Sequence, residues 1–160
     1  LSHYYHNVRR GRSQLPILEA FDREQELIAE EKARLQRGEI FKPNNFRYLA
    51  YTERGLYAEQ LERWFAHFSR EQFFIRKSED FYTGGHSFMR EVYEFLDIDP
   101  DYEIQDFTPG NVGIERTEDP ALRERLDAYF APHNQKLEEM LGVSYGWSGQ
   151  TPLSHEGVTE

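Results

Sequence analysis

No cysteine occurs among the 160 residues, so neither a disulfide nor a thiolate metal site can form. Basic residues are also in deficit: 19 Lys and Arg face 29 Asp and Glu, a net charge of −10. A general nucleic-acid binder needs a basic surface that displaces counterions, so that class is excluded. A small anionic ligand is not excluded, because the local field decides its binding more than the total charge does. No stretch is long and apolar enough to span a membrane, and no signal peptide is visible. Together these absences lead us to expect a cytoplasmic location. No set of His, Asp and Glu has metal-ligand spacing, so no metal is expected. No glycine-rich loop ending in Lys-Ser/Thr occurs anywhere in the chain, and there is no internal repeat.

What is present is an unusually aromatic chain. Aromatics make up 15 % of the residues and all hydrophobics 38 %. Each buried ring removes a large apolar area from water, so one domain with a packed core is expected despite 30 % charged residues. Residues 2–12 read as a helix closed by Gly11, with Arg9, Arg10 and Arg12 forming a basic cluster in an acidic protein. The chain opens with Leu1 inside that helix, and a longer parent polypeptide is expected.

Helical spacing places Leu18, Phe21, Ile28 and Leu35 on one face of a helix over about 15–36. Residues 42–46 read as a loop. A second amphipathic helix over about 52–67 carries Tyr57, Leu61, Trp64, Phe65 and Phe68 on one side. Phe73, Phe74 and Ile75 form a short apolar run that reads as a buried strand, expected to be parallel. A helix over about 87–96 follows, then a loop-rich passage to Asp119. Asp119 and Pro120 supply an N-cap and a first-turn proline. The helix they start is expected to break at Pro132, with a last helix over about 133–141 ending at Gly142. A lone buried strand must pair its backbone groups, so its neighbours are expected in sequence outside this chain.

The ordered motifs resemble those of sulfotransferases of the bacterial and heparan-sulfate type. Arg54, Gly55, Tyr57, Leu61 and Trp64 match the family's RG-x-Y-x-x-x-L-x-x-W helix. Gln72 through Ile75, followed by Glu79, Asp80 and Phe81, is similar to its Q-strand-E-D passage. Phe130, Pro132, His133, Asn134 and Leu137, with Leu141, Gly142 and Trp147, look like its C-terminal ending. The resemblance implies an α/β fold, of which residues 1–147 are the helix-rich C-terminal portion of a P-loop-type parallel-sheet domain, with 148–160 a polar, flexible tail. It implies a sulfuryl group moved from 3'-phosphoadenosine 5'-phosphosulfate (PAPS) to a hydroxyl or amine of a carbohydrate, lipid or small molecule. The 5'-phosphosulfate-binding part would be missing, and the chain alone inactive.

Residue by residue, the resemblance places Ser2 on the serine of the family's 3'-phosphate motif. His6, one helical turn later, would face the acceptor as a proton acceptor; the plain alternative is a surface or packing histidine. Arg54 would bind the donor or form a structural ion pair. Gly55 permits a close approach, and Tyr57 is expected to pack. Asn111 and Gly113 lie where the family brings a loop over the donor, although its Lys-Gly pair is lacking; otherwise this is a plain surface loop. Glu79 and Asp80 point apart in extended chain and are expected to cap a helix or pair with Arg76 or Lys77. His133 and Asn134 are read as structural, Asn134 capping the last helix. Two other readings stay open: a non-catalytic helical fragment or interaction module, and another nucleotide-dependent transferase of kinase-like fold.

Overall fold

The computed structural model describes residues 1–39, 42–108 and 119–147. Asn111 and Gly113 lie outside the described residues, as does the expected tail. The chain divides into two compact units, Leu1–Gln60 with Arg116–Glu160, and Leu61–Glu115.

The first unit begins with α1 (Ser2–Arg9). Gly11 ends it as expected, at φ +67°. Its N–H and that of Arg12 bond back to the carbonyls of Val8 and Asn7, at 2.9 and 2.8 Å, a left-handed closure that suits a residue without Cβ. α2 (Ile17–Asp22) and α3 (Glu24–Gln36) stand where one helix was expected. They part at Arg23, whose φ of −95° and ψ of 0° loosen the spiral without reversing it. α4 (Asn44–Leu49) replaces the loop expected there. Pro43 stands just before its first turn, and Leu49 packs against the core.

The expected helix over 52–67 is a 3₁₀ turn, Glu53–Gly55, followed by α5 (Tyr57–Phe65). α8 (Pro120–Leu141) is one helix and does not break at Pro132. The Asp119 carboxylate accepts from the Ala121 and Leu122 N–H groups at 2.9 and 3.4 Å. Gly142 closes the other end in the left-handed region. A proline inside a helix costs one backbone bond, but α8 buries Leu122 on one side of Pro132 and Leu137 on the other. Packing on both sides holds the axis through the proline. Asn134 is therefore not a helix cap. The centre of the unit is Tyr4, Ala20 and Tyr51, wrapped by Tyr5, Leu15, Ile17, Phe21 and Leu49. The Tyr4 hydroxyl donates to the Leu15 carbonyl at 2.8 Å, which satisfies the polar tip of a buried ring.

The second unit holds a 3₁₀ turn, Arg70–Gln72, then α6 (Ser78–Gly84) and α7 (His86–Phe95). α6 was not foreseen; Asp80 in its first turn pairs with Lys77 at 3.7 Å, as expected for that carboxylate. No strand occurs among the described residues. Residues 73–75 are not helical, and Phe73 is extended at φ −118°, ψ 122°. They pack by their rings instead: Phe73 edge-on to Phe65 at 5.0 Å, Phe74 against Phe88 and Phe95 at 5.8 and 5.5 Å. The parallel sheet expected of the fold class is thus not found among the described residues, whose regular elements are all helices. Trp64 and Phe68 remain 55 % and 45 % exposed, so the apolar stripe read from the sequence is only partly covered.

Candidate functional site

The site grows from α1. Ser2 and His6 lie one turn apart and are both exposed. The next face of the helix turns inward. Asn7 is fully buried, and its Nδ2 donates to the Tyr48 carbonyl at 2.5 Å and sits 3.0 Å from His3 Nε2. His3 also stacks at a tilt on Tyr51, 5.9 Å between ring centres. These anchors fix the rotation of α1 and so keep Ser2 and His6 outward.

Arg54 reaches the same region from the 3₁₀ turn. Its Nη2 donates to the Arg47 carbonyl at 2.6 Å. Burial first, and then the Arg54 charge, hold His3 below the ordinary histidine range. Slight desolvation of the exposed His6 ring, then the charges of Arg10, Arg9 and Arg12, do the same to it. A positive neighbour disfavours a second positive charge, so both rings stand neutral at pH 7. Neutral His6 has a nitrogen lone pair available to accept a proton.

The turn that carries Arg54 is held by a residue the sequence reading passed over. Glu24 is 1 % exposed. Its Oε1 accepts from the Thr52 and Glu53 N–H groups at 2.9 and 3.1 Å, and its Oε2 accepts from the Thr52 N–H and hydroxyl, both at 2.9 Å. Burial pushes the carboxyl pKa up, against those donors, and burial prevails. A signal existed: Glu24 falls between Phe21 and Ile28 on the stripe that helical spacing marks as buried. Glu53, next in the turn, pairs with Lys32 at 2.6 Å.

Gly55 makes the close approach expected of it, to an aromatic ring. A Cβ there would stand 2.6 and 2.8 Å from Phe130 Cε1 and Cζ. Gly55→Ala is expected to destabilise the protein by about 1–3 kcal/mol through overpacking. The loss should shrink to near zero when Phe130→Ala has already cleared the space. Chemical denaturation of the two single variants and the double variant measures this; equal costs in both backgrounds would refute the contact.

Glu59 on α5 faces His133 and Lys136 on α8. Its Oε1 lies 3.3 Å from His133 Nδ1 and 3.8 Å from Lys136 Nζ. Burial raises the Glu59 pKa, but its own backbone N–H, His133 and Lys136 outweigh burial and hold it low. Tyr57, expected to pack, is 51 % exposed. A cavity of about 310 Å³ is bordered by Phe21, Glu24, Glu53, Arg125 and Tyr129. Its charged groups are already engaged, Glu24 by Thr52, Glu53 by Lys32, and Arg125 by Asp22. No cluster of metal-ligating side chains occurs among the described residues, and none of their helices is long and apolar enough to cross a membrane.

Comparison with known proteins places this arrangement in context. No family model matches the chain. The membrane-associated sulfotransferase kil1 of Dictyostelium discoideum is 30 % identical over 112 residues, which is 70 % of this chain and 24 % of that protein. Carbohydrate sulfotransferase 15 of Mus musculus is 32 % identical over 105 residues, 58 % of this chain and 18 % of its own length. The crystal structure of a sulfotransferase from Alicyclobacillus acidocaldarius superimposes with a TM-score of 0.66 at 28 % identity, over 92 % of this chain and 51 % of that one. The chain thus spans about a quarter or less of these curated relatives and about half of the solved structure.

Proposed function

From the premise that this chain belongs to the sulfotransferase family, we propose that it supplies the 3'-phosphate contact and the acceptor-side helix of an enzyme that transfers a sulfuryl group from PAPS. The likeness of 92 % of this chain to about half of a solved sulfotransferase supports this reading. Ser2, in the first turn of α1, donates its hydroxyl to the 3'-phosphate. The acceptor hydroxyl or amine lies against His6. As its oxygen or nitrogen forms a bond to sulfur, the bond from sulfur to the phosphate oxygen breaks, and the acceptor proton passes to the neutral His6 ring. The other product is adenosine 3',5'-bisphosphate. Arg54 adds positive charge beside that helix, and Asn111 and Gly113 contact the nucleotide. Residues 1–147 form the enzyme's C-terminal portion, with 148–160 a polar tail.

These residues include no glycine-rich Lys-Ser/Thr loop, so the 5'-phosphosulfate clamp is not among them, and the 160-residue chain alone turns over no PAPS. The experiment is nucleotide binding by the polypeptide that carries this chain in the cell. Adenosine 3',5'-bisphosphate is expected to bind at least about tenfold more tightly than adenosine 5'-monophosphate. Ser2→Ala should remove much of that preference, since a hydrogen bond to a charged group contributes about 1.5–3 kcal/mol. Preferential binding of ATP would favour a kinase-like transferase and sink this reading.

A further inference from the structure

Three segments of the first unit meet at two adjacent carbonyls. The last four carbonyls of a helix have no partner within it, and α4 lends two of its own to other segments. Asn7 Nδ2, on α1, donates to the Tyr48 carbonyl at 2.5 Å, and Arg54 Nη2, on the 3₁₀ turn, donates to the Arg47 carbonyl at 2.6 Å. The site helix and the turn are thus gripped one residue apart on the same element.

The Tyr48 bond also fixes a protonation pattern. A carbonyl only accepts, so Asn7 presents its amide nitrogen there, and that same nitrogen sits 3.0 Å from His3 Nε2. Nε2 is then the acceptor, which leaves the proton of a neutral His3 on Nδ1. A protonated His3 would set N–H against N–H. Flipping the Asn7 amide gives no relief, because Oδ1 would then face the Tyr48 carbonyl. Asn7 is fully buried, and its Oδ1 has no partner among the described residues, so these two contacts hold its side chain. Four groups bear on the charge of the His3 ring. Arg54 from the 3₁₀ turn and His6 from α1 oppose a positive charge there, while the Tyr48 and Arg47 carbonyls of α4 favour it.

We infer that Glu24 and Arg54 are positioning residues for α1: Glu24 holds the turn that sets the Arg54 charge beside His3, and His3, kept as an acceptor, secures Asn7 and with it the rotation of the helix that carries Ser2 and His6. Glu24 grips the turn through the Thr52 N–H, the Thr52 hydroxyl and the Glu53 N–H, all at 2.9–3.1 Å. Arg54 follows one residue later. It is exposed, yet its backbone belongs to that turn and its guanidinium to the Arg47 carbonyl, so both ends of its side chain are fixed. The relay rests on the transferase reading above for the roles of Ser2 and His6, and on these hydrogen bonds for everything else.

The test follows the His3 ring by nuclear magnetic resonance in the polypeptide that carries this chain, with histidine labelled at Cε1 and His3 assigned by its loss in His3→Gln. Arg54→Ala, at an exposed position, is expected to raise the His3 titration midpoint, as removal of a neighbouring cation does. Glu24→Leu, which keeps bulk but accepts nothing, should raise it as well, and should add nothing once Arg54→Ala is present. Glu24→Gln should stay near wild type, since its oxygen accepts from the Thr52 and Glu53 N–H groups and its amide donates to the Thr52 hydroxyl. If circular dichroism shows Glu24→Leu unfolded, Thr52→Val, which removes one of these bonds, takes its place with the same two expectations. The second readout is the preference for adenosine 3',5'-bisphosphate over adenosine 5'-monophosphate on either side of the ordinary histidine value, at about pH 8 and about pH 6. Arg54→Ala should lose about twofold more of that preference than wild type does on going to the lower pH, as more of its His3 is protonated. A His3 midpoint that ignores Arg54→Ala would overturn the inference. So would an equal rise from the Glu24 or Thr52 variant with and without Arg54, a Glu24→Gln as disruptive as Glu24→Leu, or a loss of preference in Arg54→Ala that is the same at both pH values. If the midpoints move as expected but neither nucleotide binds, the transferase reading falls and the relay stands. If the bisphosphate binds and the midpoints stay put, the relay alone falls.

Discussion

Sulfuryl transfer by the polypeptide that carries this chain is expected to slow by roughly 10²–10⁴-fold when His6 becomes alanine, the usual worth of a positioned general base. If the ring meets the reacting acceptor atom and not the nucleotide, as proposed, the loss falls on kcat with the KM for donor nearly unchanged. The pH profile separates this from a structural role. His6 accepts a proton only when neutral, and its pKa lies below the ordinary value, through slight desolvation and then the charges of Arg10, Arg9 and Arg12. Wild-type kcat/KM should therefore stay level through neutral pH and fall as the solution is acidified past that lowered value. The alanine variant should lose this acid limb. A variant with wild-type kcat, or with a reduced kcat but the same acid limb, would contradict the role.

Glu24→Ala is expected to destabilise the first unit by at least about 1–3 kcal/mol, the cost of leaving a buried donor unsatisfied. The substitution strands the Thr52 N–H, the Thr52 hydroxyl and the Glu53 N–H, all of which Glu24 accepts from at 2.9–3.1 Å. The pH dependence has a definite sign. Burial raises the folded-state pKa of Glu24, so its protonation contributes stability that is fully present below the unfolded value of about 4.3. That contribution is lost as pH rises through the folded value. The stability advantage of wild type over Glu24→Gln should thus grow as pH falls from neutral toward 4. A constant difference across that range, measured by chemical denaturation, would refute the burial.

Helix ends were the most legible part of the fold. Asp119 with Pro120, Gly142 and Gly11 each mark a boundary by local chemistry, and each does so in the structure. Where tertiary packing decides, local signals misled. Pro132 reads as a break, but burial of Leu122 and Leu137 on either side carries α8 through it. Residues 73–75 read as a buried strand with neighbours outside this chain; among the described residues they form no strand, and the rings of Phe73 and Phe74 pack on Phe65, Phe88 and Phe95. Pairing is a property of the neighbour, which a short run does not encode.

The site was legible in pieces but not as an assembly. Ser2 and His6 are one turn apart in any helix that includes both. That Arg54 stands beside His3, or that Arg12 and Arg47 share the Tyr48 ring, depends on contacts between distant segments. Glu24 was missed because a glutamate in a charged helix is read as a solvated charge. Its place on the apolar stripe was the contrary sign. The Arg9, Arg10 and Arg12 cluster was read as charges at a helix end, which is true of α1 but leaves out the contact of Arg12 with Tyr48.

The most direct measurement is transfer of radiosulfur from labelled PAPS by the polypeptide that carries this chain, across neutral and acidic polysaccharide acceptors. The account predicts labelled product with at least one acceptor, with adenosine 3',5'-bisphosphate released in equal amount. No labelled product from any acceptor, or label appearing only when ATP replaces PAPS as donor, would contradict it.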